Sequence, residues 1–243
     1  MTRAPFNLIL TIGLTLAGCN RNDAPNVVAP DGGKAVVVVP NPKDAAKDDA
    51  PKIDPATKAE EDAKAEEWIP PAEREDLFLD FAMEDQDGEP FELKSIRGKP
   101  TVATFIFTRC PNPNMCPLQG AKMAALQKTL AAAGLAEKVN ILIISFDPEY
   151  DTPPRLKKFA QDAGFDFEQG KVLRPNPREF AEFRYVFQFR IGYLPDGQLT
   201  HRTDLMMIDA DGKLARQYAG MWKDEQALED VKRLIAETEA SSE

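Results

Sequence analysis

Two mainly apolar, charge-free runs, TVATFIFT at 101–108 and VNILIISF at 139–146, constrain this chain more than any other feature. Neither shows the polar alternation of a half-solvated strand, so each reads as a strand buried on both faces. A helical pattern follows each of them. After the first, PLQGAKMAALQKTLAAAG spaces Met123, Leu126 and Leu130 helically, with Pro117 suited to a first turn and Gly134 to a stop. After the second, DPEYDTPPRLKKFAQDAG offers Asp151 or Thr152 as a cap ahead of the prolines and Gly164 as the end. This β-α-β-α succession predicts an α/β fold, a central sheet flanked by helices.

The flanks extend the pattern. LFLDFAMEDQDGEPFELKSIRGKP carries an Asp87-Gly88 turn between apolar segments and predicts an added N-terminal hairpin. A helix is expected within 175–189, a hairpin about Asp211-Gly212 in LMMIDADGKLARQYAG, and a terminal helix in DEQALEDVKRLIAETE. The folded domain therefore occupies 73–240. Ahead of it, 19–72 is dominated by Ala, Pro, Lys, Asp and Glu, too poor in apolar side chains to offset ordering entropy, and reads as a disordered tether. The Val36 to Val39 run is its one apolar spot. A flexible tether of about 50 residues has a root-mean-square span of roughly 40 Å.

The first 18 residues combine Arg3, a short apolar core from Phe6 to Leu16 and small residues before Cys19. Such a core is too short to span a bilayer and has the form of a signal peptide. Leu16-Ala17-Gly18-Cys19 resembles the bacterial lipobox, which implies cleavage before Cys19, a lipid on that residue, export, and anchoring to a bilayer facing the periplasm or cell exterior. Thiol chemistry is meaningful in that oxidising setting. A formal net charge of -10, with no basic patch, excludes nucleic acid as a partner.

Two further cysteines, Cys110 and Cys116 in FIFTRCPNPNMCPL, border the junction between the first strand and the first helix. Unpaired N–H groups at a helix start favour negative charge, which predicts a lowered pKa for Cys116 and a thiolate near neutral pH. Two thiolates and the lone imidazole, His201, make a soft donor set suited to copper(I), and the same thiols alternatively form a disulfide, structural or exchanging. Zinc would require a fourth ligand such as a carboxylate. A cysteine-histidine hydrolase is formally available, but nothing marks an orienting partner or an oxyanion hole. His201 is expected on a loop leading into a strand, where a lone histidine is by default solvated surface. Met115, Met206 and Met207 are thioether donors in principle and core fillers by default. Asp147, Asp151 and Thr152 read as turn and cap residues.

FTRCP with the later CPL, SFDPEYDTPPRLKKFA after a buried strand, and the histidine ahead of Asp209 in HRTDLMMIDADG occur in an order and spacing that resemble the Sco/SenC family, over about Leu77 to Thr238. The resemblance implies a thioredoxin-like fold and a copper ion bound by Cys110, Cys116 and His201, with Asp147 in a loop near that site. It implies a metallochaperone, not a catalyst with turnover, whose partner is the cytochrome c oxidase subunit carrying the dinuclear copper centre. The alternatives are a thiol-disulfide oxidoreductase using Cys110 for attack and Cys116 for resolution, and a copper-sensing or redox-sensing lipoprotein. One departure stands out: five residues separate the cysteines where the family pattern has three. The family's usual transmembrane anchor is replaced here by the lipid expected at Cys19.

Overall fold

The computed structural model describes residues 67–78, 80–187 and 204–241, together with the backbone of 191–193 and 199–201. The expected lipidation at Cys19, the signal peptide and almost all of the tether lie outside the described residues. At the centre is a seven-stranded mixed sheet of β1 (Met83–Glu84), β2 (Pro90–Phe91), β3 (Thr101–Ile106), β4 (Asn140–Ser145), β5 (Lys171–Pro175), β8 (Asp204–Ile208) and β9 (Leu214–Ala219). Their order is β2-β1-β5-β4-β3-β8-β9. A separate antiparallel pair is formed by β6 (Ile191–Tyr193) and β7 (Leu199–His201).

The first apolar run becomes β3, buried at every position, and the second becomes β4, buried at all but its first residue. They pair in parallel, Val102 opposite Ile141 and Ile106 opposite Ser145, and β5 adds a third parallel strand. Parallel strands need helical crossovers, which is why both faces are covered and neither run alternates. Helix α1 (Cys116–Ala132) packs on β3 and β4, α2 (Pro153–Ala163) on β5 and on α1, and α4 (Asp224–Ala240) on β8 and α1. The short α3 (Phe180–Val186) contributes Phe183 to an aromatic cluster with Phe81 and Phe187, and Phe187 meets Phe105 of β3 edge-on at 5.6 Å. This is the expected thioredoxin-like architecture.

The N-terminal hairpin is present as β1 and β2, closed by Asp85 N–H donating to Glu89 O at 2.8 Å around Gly88, whose φ of 83° suits a residue without a Cβ. Antiparallel β8 and β9 turn at Asp209 to Lys213. Helix α2 starts at its prolines and ends at Gly164, φ 76°, as its sequence predicts. Its cap differs from expectation: Thr152 occupies the N-cap position without a side-chain hydrogen bond, and the Asp151 carboxylate is used elsewhere.

Because β3, β4 and β9 run in one direction, their C-terminal ends define one pole of the sheet. The start of β3 is level with the end of β8, Thr101 opposite Ile208, and defines the other. At this second pole Ile69 N–H bonds Ala215 O and Leu77 N–H bonds Gly212 O. Arg74, its side chain only 2% exposed, lies 3.0 Å from Asp209 Oδ2 and 2.8 Å from Glu237 Oε2, and donates from Nε to Ile69 O. The Glu237 contact is close without hydrogen-bond alignment, so it acts as an ion pair alone. Trp68 stacks under Arg233 at 4.0 Å and bonds Glu237 through its indole N–H.

Candidate metal and thiol centre

Both cysteines stand at the pole where β3 ends. Residues 107–115 carry the chain from β3 to α1 through a tight turn, with Cys110 N–H on Phe107 O and Met115 N–H on Asn112 O. The Asn112 side chain accepts from Asn114 N–H at 3.0 Å, an Asx turn that takes up part of the long Cys110 to Cys116 spacing. Pro117 occupies the first turn of α1, where its missing N–H costs nothing. Cys116 opens that helix and is fully buried, whereas Cys110 is half-buried against the core.

Despite the five-residue spacing, the two side chains meet. They lie close enough for Cys110 to raise the cost of ionising Cys116, and Cys110 Sγ is 3.7 Å from Asn112 O. Neither carries a disulfide. The expected low pKa of Cys116 is overturned: burial pushes its thiol far up from 9.0, with a smaller opposing effect from Phe107 backbone and a further rise from Cys110. The helix start favours a thiolate only where solvent or charge also reaches it, and desolvation wins here.

A buried polar network holds the Cys110 side of the loop. Asp151, fully buried, accepts from Thr108 N–H at 3.2 Å, from Thr108 Oγ1 at 2.5 Å and from Ser145 Oγ at 2.6 Å. Arg109 Nε donates to Asp147 Oδ2 at 2.6 Å, and Asp147 N–H bonds Ser145 Oγ. Burial raises the pKa of both carboxyls, against the lowering effect of Arg109 on Asp147 and of Ser145 and Thr108 on Asp151. The Arg109 and Arg155 guanidiniums lie 4.7 Å and 4.1 Å from the Tyr150 ring. The segment read as turn and cap is therefore a brace tying the end of β4 to the residues before Cys110. A signal for it was Thr108, a polar residue following the Phe105-Ile106-Phe107 stretch.

His201 is the last residue of β7, paired with Ile191, and not on a loop leading into a strand. Its side chain lies outside the described residues. Among the described residues no three His, Cys, Asp or Glu side chains converge as a metal site, so the two thiols form the described part of the donor set. Two adjacent sulfurs fit a soft monovalent ion better than a hard one. Met206 and Met207 are core residues of β8, 1% and 0% exposed, as their default reading held. Among the described residues no helix is long and apolar enough to cross a membrane.

The family model SCO1/SenC matches residues 70–236. The chain belongs to the SCO1/SenC family. It is 36% identical over 146 residues to the SCO1 protein homolog of Bacillus subtilis, covering 58% of this chain and 72% of that one. Among solved structures it resembles a SCO1/SenC family lipoprotein from Bacillus anthracis, at 33% identity and a TM-score of 0.59 over 66% of this chain and 96% of the other. It also resembles BsSco, described as a Sco family cytochrome c oxidase assembly protein with a disulfide switch, at 33% identity and a TM-score of 0.57 over 65% and 93%. Copper-bound ScoI of Bradyrhizobium japonicum matches at 29% identity and a TM-score of 0.51, over 63% and 96%.

Proposed function

We propose that this protein is an exported, lipid-anchored copper carrier that binds one copper ion through Cys110, Cys116 and His201 and delivers it to the dinuclear copper centre of cytochrome c oxidase. The observation that carries the reading is the contact of two thiols across an unusually long loop, one half-exposed and one fully buried. Copper is the cargo. The described residues supply a soft sulfur pair, the Asp151 and Arg109 brace orients the Cys110 arm, and α1 fixes the Cys116 arm. The lipobox-like Leu16-Ala17-Gly18-Cys19 and the low-complexity 19–72 segment support anchoring with a long reach. That a lipoprotein and a copper-bound protein stand among the similar structures supports both parts.

Loading must displace the protons of both thiols, because a metal takes the thiolate. Burial makes the Cys116 proton hard to remove without a cation to replace it. This same property favours the metal reading over simple disulfide exchange. A resolving Cys116 would have to attack as a thiolate, and a thiol held protonated attacks slowly. The redox reading, supported by the disulfide switch described for BsSco, keeps Cys110 as the accessible nucleophile.

Metal analysis of the reduced full chain tests the proposal. One copper per chain is expected, lost on Cys110→Ala or Cys116→Ala and weakened strongly by His201→Ala, with about two protons released per copper(I). Copper affinity unchanged in His201→Ala, with thiol-disulfide exchange intact, would move the assignment to an oxidoreductase. Copper binding with normal oxidase assembly in a deletion strain would move it to a sensor.

A further inference from the structure

Of the described methionines, Met83, Met123, Met206 and Met207 are buried and Met115 is half-buried, whereas Met221 is 52% exposed. It follows the end of β9, and the register that sets Asp204 opposite Ala219 and Thr104 opposite Leu205 brings it to the pole of the cysteines. Gly220, at φ 95°, turns the chain sharply out of the strand. Trp222 anchors the far side of the turn, 4% exposed with Lys122 Nζ 4.9 Å from its ring, and Lys122 also pairs with Asp224 at 2.7 Å. The thioether is thus presented from a fixed turn against α1.

Its neighbour is Gln119, one helical turn after Cys116. Gln119 Nε2 lies 4.0 Å from Met221 Sδ, and Gln119 is fully buried. Side chains on a helix lean over the preceding turn, which for Gln119 is the turn opened by Cys116. The other half of that amide, Oε1, is buried without a hydrogen-bond partner. A buried amide with an unanswered oxygen, beside an exposed thioether and one helical turn from Cys116, leaves a polar niche with hydrogen-bonding capacity to spare.

We propose that Met221 is a transit ligand, a neutral sulfur donor that holds copper(I) beside the cysteine pair while the ion passes to or from its acceptor. The inference rests on the copper reading above. A thioether binds soft monovalent copper and carries no proton to lose. In the step, a bond from copper to one cysteine sulfur breaks as a bond to Met221 Sδ forms. The copper stays monovalent, no electron moves, and the departing thiolate takes a proton from water. The niche around Gln119 keeps the sulfur close enough for the exchange to avoid a bare ion.

The test uses the reduced full chain with methyl-13C methionine and copper(I), and a water-soluble copper(I) chelator as acceptor. The Met221 methyl signal is expected to move on copper addition to the unsubstituted protein and to stay in place in Cys110→Ala, which no longer holds the ion. Transfer to the chelator is expected to slow about tenfold in Met221→Leu. A motionless Met221 signal and an unchanged transfer rate, in protein that carries copper, would overturn the role of Met221 and leave the copper reading standing. Wild-type protein that takes up no copper would sink both. Because the signal is read in unsubstituted protein as well, misfolding of a variant cannot decide the matter.

Discussion

The two poles of the sheet are built on opposite terms. At the pole where the N-terminal segment docks, a buried arginine faces two carboxylates and a carbonyl. At the cysteine pole two carboxyls sit with raised pKa, a thiol is held protonated and the Gln119 amide oxygen has no hydrogen-bond partner. One end carries charge that is matched on site. The other holds buried ionisable groups against desolvation, which is where stability is traded for chemistry.

The largest effect should come from the matched pole. Arg74→Met removes the cation shared by Asp209 and Glu237 and the donor to Ile69 O, and about 3–5 kcal/mol of stability should be lost in urea unfolding. Native-state alkylation of Cys110 should hardly change, and a large change would erase the distinction between the poles. Next, Asp151→Ala removes the acceptor for Thr108 and Ser145 and should cost about 2–3 kcal/mol. Here Cys110 alkylation should accelerate, because the brace behind it is gone.

A smaller and pH-dependent effect isolates Cys116. Its folded pKa is raised above 9.0, so its contribution is complete below that pH and is lost as pH rises and only the unfolded thiol ionises. Reduced wild-type protein should lose up to about 1.4 kcal/mol per pH unit more than Cys116→Ala above pH 9. Parallel curves would show that the thiol is not desolvated. The smallest change is expected for Arg155→Gln, which removes one of two cations from the Tyr150 ring and should cost about 0.5–1 kcal/mol by chemical denaturation.

The apolar runs made the central strands legible because a doubly covered strand has only one composition that satisfies both faces. Helix boundaries at Pro117, Pro153 and Gly164 were legible for equally local reasons. Asp151 was misread because its partners, Thr108 and Ser145, come from other elements, and a carboxylate within reach of a cap takes whichever donors the tertiary fold supplies. Cys116 was misread for a related reason, since sequence reveals a helix start but not how completely its first side chain is covered. The β6 and β7 pair, which carries His201, went unseen although Pro195-Asp196-Gly197 is a turn signal between short segments. Met221 carries no sequence mark at all, because exposure belongs to the packed chain.

The docking of Trp68, Ile69 and Arg74 against β9 and α4 has a mechanical consequence. A pull applied through the residues that precede Glu67 would be borne by the last helix and the sheet edge. The sulfur pair, at the far end of the strands, would keep its shape under that load.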